Sequence, residues 1–156
     1  MSFLTQGSDR ETKIDKRKVN NVPFVELHDG RLQGVVSSGS SKERVYLAFI
    51  KANSHDYYCS TNNNRRCGGL RGTYCKHLRW LLEEAVKQFG AKKVAEYLKL
   101  PTNPESVKSA RNILALLHGS EVKESISEVF SRFLGYLRYL EVESVNEYIP
   151  EMAWFF

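Results

Sequence analysis

Three cysteines and one histidine fall within nineteen residues of this 156-residue chain: Cys59, Cys67, Cys75 and His77. The chain has no further cysteine, and three thiols cannot pair off into disulfides. Three thiolates with one imidazole are a complete ligand set for a tetrahedral structural zinc ion, and Zn2+ is the cofactor these residue types predict. Between them, Ser60 to Tyr74 is rich in Asn, Gly and Arg, the composition of a loop that presents ligands rather than of a core. Two rival readings meet physical objections. Free cysteine is often an inert, buried small hydrophobe, but Cys67 sits in Arg65-Arg66-Cys67-Gly68-Gly69 with nothing apolar beside it. A catalytic Cys75/His77 pair would set nucleophile and base two residues apart on one element, with no third group to orient the base.

The formal charge is +5, and from Cys59 to Arg79 the chain carries five cations, Arg65, Arg66, Arg71, Lys76 and Arg79, with no Asp or Glu. A Cys3His zinc site bears about one net negative charge, so some of these cations compensate the metal site itself. The same five are the candidate contacts to a nucleic-acid backbone. Aromatics at 12% and apolar residues at 42% suffice for a core. The first residues have neither the basic nor the apolar region of a signal peptide, and no apolar run approaches membrane-spanning length. With reduced-type cysteine usage, this predicts a cytoplasmic protein.

The elements that must position these residues follow from periodicity and breakers. Residues 1–20 are polar and mixed in charge, ending in Lys16-Arg17-Lys18, and read as a flexible arm. Val22 to Leu27 and Leu32 to Val36 are strands joined by a hairpin at Asp29-Gly30. Gly34 and Gly39 have the spacing of a phosphate loop, but Ser40 stands where its lysine belongs, so that motif fails. Arg44 to Ile50 is the clearest strand, and His55 to Cys59 the next, so the first ligand hangs off the end of a sheet. A helix starts at Thr73 or Tyr74 and stops at Gly90, with a short one from Ala91 to Leu100. Asn103-Pro104-Glu105 opens another, running to His118, and Ser120 caps a long one to about Glu141. The order of strands, zinc loop and helices predicts an α+β fold: a small antiparallel sheet, the zinc loop, then a C-terminal helical bundle. The expected division is an arm at 1–20, a zinc-binding unit of sheet and helix at 21–100, and helices packed on it at 101–156.

Tyr58–Leu82 resembles a SWIM zinc finger, in which a strand pair leads into Cys-x-Cys, a variable loop, and Cys-x-His at the start of a helix. Cys75-Lys76-His77-Leu78 matches the second half, and Gly39 to Tyr46 is similar to the family's lead-in. In the first half Cys59 and Cys67 are separated by seven residues instead of one, which leaves open whether Cys67 or His55 completes the site. The resemblance spans about 45 of 156 residues. It implies a non-enzymatic binding module linked to DNA or to a protein partner, here an accessory subunit.

Outside the cluster, His55 reads as a surface-turn residue if it is not a ligand. His28 reads as a turn residue, and His118 as a helix C-terminal residue favoured by the dipole. Tyr57, Tyr58, Tyr74 and Trp80 either pack around the metal site or stack on unpaired bases. Two functions follow: nucleic-acid binding, DNA first, through the basic loop, or protein contact, including a second copy, through the long helix and the aromatic end Met152 to Phe156. Neither involves a membrane or a small-molecule substrate.

Overall fold

The computed structural model describes residues 21–38 and 44–148; the arm at 1–20, most of the lead-in at 39–43 and the aromatic end at 149–156 lie outside them. Four strands, β1 (Phe24–His28), β2 (Arg31–Ser37), β3 (Val45–Lys51) and β4 (Tyr57–Thr61), form an antiparallel meander in chain order. Asp29 and Gly30 turn β1 into β2, both at positive φ, and the register pairs Phe24 with Val35 and His28 with Arg31. Four helices follow: α1 (Lys76–Phe89), α2 (Ala91–Leu98), α3 (Ala110–Leu116) and α4 (Ser127–Tyr148). This is the α+β layout expected from the sequence.

Alternation along the strands, combined with the pairing, gives the sheet two inner faces. Val25, Gly34, Ala48 and Cys59 lie in register on one side, and α1 packs there. Phe24, Val35, Leu47 and Ser60 lie in register on the other, where α4 brings Phe133 to 5.8 Å from the Phe24 ring. Both faces are therefore covered, which is why Leu47-Ala48-Phe49-Ile50 is a continuous buried run and not an alternating one. Charges complete the α4 side at its edges: Arg31 and Lys51 both reach Glu124, at 2.8 and 2.7 Å, and Arg132 clasps Glu26 at 2.6 Å.

Gly34 sets how closely α1 lies on the sheet. A Cβ there would overlap the carbonyl oxygen of Phe24 and stand 2.7 Å from Leu81 Cδ1. Leu78, Leu81, Leu82 and Ala85 make the buried stripe of α1. Gly90, at φ 93°, ends α1 by donating to Val86 O at 2.8 Å and begins α2 by accepting from Val94 N at 3.1 Å.

The helix starts differ from the sequence expectation in three places. The first begins at Lys76 and not at Thr73 or Tyr74, because Cys75 is held extended as its cap. The segment expected to be one helix from Pro104 to His118 is a single 3-10 turn at Pro104–Ser106 and then α3. Buried Val107 is extended, and Ser109 caps α3 by accepting from Asn112 N. The long helix starts at Ser127 and not at Ser120, because residues 120–122 are taken up by β4. Tyr57 N donates to Ser120 O at 3.1 Å and Val122 N to Tyr57 O at 2.9 Å.

Leu81 is fully buried, so Leu81→Ala is expected to cost about 2–5 kcal/mol of unfolding free energy in urea denaturation. Gly34→Ala, which adds a single carbon, should cost about 1–3 kcal/mol by overpacking.

Candidate metal centre

Three pieces of backbone deliver the four ligands. Cys59 is the third residue of β4 and points to the α1 side of the sheet. After Thr61 the chain turns through Asn62 to Arg65, with Asn64 at φ 66°. The Thr61 hydroxyl accepts from Asn63 N at 3.3 Å and Arg65 N at 3.1 Å, which stabilises the turn. The chain then returns along the open edge of β4: Thr61 N donates to Arg65 O at 2.8 Å, and Cys67 N to Cys59 O at 3.0 Å. This short return pairing brings Cys67 back beside Cys59. Cys75 caps α1, and His77 lies on its first turn.

The ligand atoms of Cys59, Cys67, Cys75 and His77 all lie within 4.8 Å of one another, and all four residues are buried. His77 Nδ1 stands 3.4 Å from Cys67 Sγ and 3.8 Å from Cys59 Sγ. Metal–sulfur bonds of about 2.3 Å and metal–nitrogen bonds of about 2.0 Å require donor spacings of this order. The cluster can hold a metal ion.

The protons of the set point the same way. The Cys59 thiol is directed toward Cys67 and Cys75, and this sharing, with burial, pushes its deprotonation far up. Hydrogen bonding from Cys59, with a smaller contribution from His77, holds Cys67 down to about 6 and Cys75 down to about 4. Two thiols thus reach the thiolate form readily, and a bound cation would displace the remaining proton. Gly69 N donates to Cys67 Sγ at 3.4 Å, a further stabiliser of negative charge on sulfur.

Around the ligands, Tyr46 of β3 stacks on the His77 ring at 3.8 Å between centroids, and Trp80 meets the same ring edge-on at 5.8 Å. Of the four aromatics expected there, Trp80 packs on a ligand ring, whereas Tyr57 and Tyr74 pack on each other at 4.2 Å and Tyr58 faces the other side of the sheet. Tyr46 was not among the residues singled out. Its pairing opposite Thr61, on the Cys59 side of the sheet, is the signal that would have found it.

The five candidate cations divide. Arg65, Arg71, Lys76 and Arg79 are exposed and stand in no ion pair among the described residues. Arg66 is engaged inside the protein. Its guanidinium grips both oxygens of Glu121, one at 2.7 Å, and donates to Leu70 O, which fastens the ligand loop to the segment covering β4.

His55 is neither a ligand nor a surface-turn residue. It is fully buried at φ 62° in the β3–β4 turn, and its Nε2–H donates to Leu98 O at 2.9 Å. Tyr74 OH donates to the His55 carbonyl at 3.4 Å, and His118 lies 4.3 Å from its ring. A Cβ on Gly119 would overlap the His55 carbonyl, so Gly119 is where this packing requires glycine. His118 accordingly packs on His55; α3 ends before it, at Leu116.

No protein-family model, curated protein or solved structure matches this chain. Among the described residues, no helix is long and apolar enough to cross a membrane.

Two outcomes follow. Chelation should raise backbone hydrogen exchange most at residues 59–70, because that loop has little apolar burial of its own, and should leave β2 and β3 protected. Burial lowers the His55 pKa, against the hydrogen bond to Leu98 and the nearby Asp56, while His118 lowers it further. A neutral imidazole is therefore favoured in the fold. The stability it contributes is complete above about pH 6.5 and is lost as pH falls through the depressed folded value. His55→Gln, which keeps a donor for Leu98 O, should make thermal stability fall less between pH 7 and 5 than in the parent.

Proposed function

We propose that this chain is a structural zinc protein of SWIM-like type that binds nucleic acid, DNA first, as an accessory subunit with no chemistry of its own. Zinc is the ion that a buried Cys3His set with its donor atoms within 4.8 Å of one another suits best. Four protein ligands close the coordination sphere, and a closed sphere is the structural kind, without an open position for water or substrate. The SWIM-like character rests on Cys75-Lys76-His77-Leu78 at the head of α1 and on a strand supplying the first cysteine.

The observation that carries nucleic-acid binding is the placement of Arg65, Arg71, Lys76 and Arg79 around one metal knuckle, all exposed and all outside ion pairs among the described residues. Compensation of the metal site accounts for about one charge of the four. The others await an anion, and a polyphosphate backbone supplies anions at matching density.

A second reading, protein contact through the long helix, has its own support. Beyond Phe133, Tyr136 of α4 still packs on Phe24 at 5.4 Å, while Leu134 is 47% exposed and Leu137 and Leu140 are each 40% exposed. Apolar side chains gathered in this way commonly mark a contact.

Titration of fluorescent DNA at several salt concentrations decides between the two. Replacing Arg65, Arg71 and Arg79 one at a time by alanine should weaken binding alike for every sequence. Each change should flatten the slope of log affinity against log salt by about one unit. Arg66→Ala should instead lower thermal stability and leave that slope nearly unchanged. Unaltered binding by the triple variant, or no binding by the parent at low salt, would leave the protein-contact reading.

A further inference from the structure

Three concavities join into one groove across the metal knuckle. The first, about 560 Å³, is lined by Arg44, Arg65 and Arg66 with Tyr46, Asn62 and Asn63. The second, about 810 Å³, shares Tyr46 and Gly68 with it and adds Arg71, Lys76 and Arg79. The third, about 320 Å³, shares Lys76 and Arg79 with the second and adds Trp80 and Arg111. Among the described lining residues of this path, Glu83 is the one carboxylate. Arg44 and Arg111, neither of them near the cysteines in sequence, stand at its two ends.

Resting on the nucleic-acid reading above, we propose that the groove binds a single strand, with its backbone along Arg44, Arg65, Arg71, Lys76, Arg79 and Arg111, Arg66 being held by Glu121, and with a base stacked on Trp80. A groove tracks one backbone, whereas a duplex is a convex rod carrying two. Only an unpaired strand can offer a base face to an aromatic ring, and stacking of that kind tolerates any base. Trp80 is half-buried in the groove wall, and the Lys76 ammonium stands 5.3 Å from the centre of its ring. A cation over an indole face is held by the ring quadrupole. An arriving base takes the ring face, and the released ammonium pairs with the adjoining phosphate. Tyr46, already stacked on His77, forms the wall where the first two concavities meet, so the ion that fixes His77 also fixes the groove.

The test uses the zinc-loaded full chain with three labelled probes of fifteen nucleotides: oligo-dT, oligo-rU, and a mixed-sequence duplex. Single strands should bind at least tenfold more tightly than the duplex at equal salt, and the dT and rU probes separate a deoxyribose from a ribose preference. Trp80→Ala should weaken single-strand binding at least about fivefold while Trp80→Phe retains most of it. Arg111→Ala, an exposed change that leaves the core alone, should weaken single-strand binding severalfold and so guards against a folding defect at Trp80. Duplex binding as tight as single-strand binding, or an Arg111→Ala protein indistinguishable from the parent, would overturn the groove and leave the nucleic-acid reading standing. Absence of binding to all three probes at low salt would remove that reading as well.

Discussion

Four donor atoms that could hold one metal ion lie within 4.8 Å of one another, and the backbone on either side of them is shaped to bring them there. β4 supplies one, a short return strand pairing with β4 the second, and the extended cap and first turn of α1 the third and fourth. The loop between Ser60 and Tyr74 contributes few apolar residues to the core, Leu70 and Cys67 aside. Its order therefore depends on the ligands, on the hydrogen bonds along the β4 edge, and on the Arg66 clasp to Glu121. Removing the ligand pairing would leave buried thiols sharing a proton in a site of low polarity, which is a costly arrangement.

The same edge explains why the C-terminal half belongs to the metal centre and not merely beside it. β4 would be an open edge strand, a surface that invites unwanted pairing. The return of residues 65–67 covers one stretch, and residues 120–122 cover another at Tyr57. Arg66 and Glu121 then tie these two covers to each other. At the far end of the sheet, His55 joins the β3–β4 turn to Leu98 at the end of α2, to Tyr74 just before the ligand helix, and to Gly119. A buried imidazole at a left-handed backbone position makes these connections, and its Nδ1 has no hydrogen-bond partner among the described residues.

Much of this was legible in the chain. Strand positions and the Asp29-Gly30 hairpin followed from alternation and turn chemistry, and the ligand cluster from residue type alone. The seven-residue gap between Cys59 and Cys67 was read as a departure from the SWIM pattern. Its resolution is a hairpin return, signalled only weakly by Thr61 and three asparagines. The role of His55 was invisible, because its value lies in a hydrogen bond to a residue 43 positions away and in a glycine 64 positions away. The helix starts at Ala110 and Ser127 were displaced for a similar reason. Ser120 has the local chemistry of a cap, but the β4 edge competes for the same backbone and wins. Arg44 and Arg111 join the groove only through tertiary packing, so no spacing rule could have brought them to the basic loop.

Whether a metal completes the Cys3His set is read most directly by native mass spectrometry of protein purified without chelator. The expected result is one zinc ion per chain, retained in His55→Gln and lost in Cys67→Ser. A folded chain without bound metal, with Cys59, Cys67 and Cys75 all open to a thiol reagent, would contradict it.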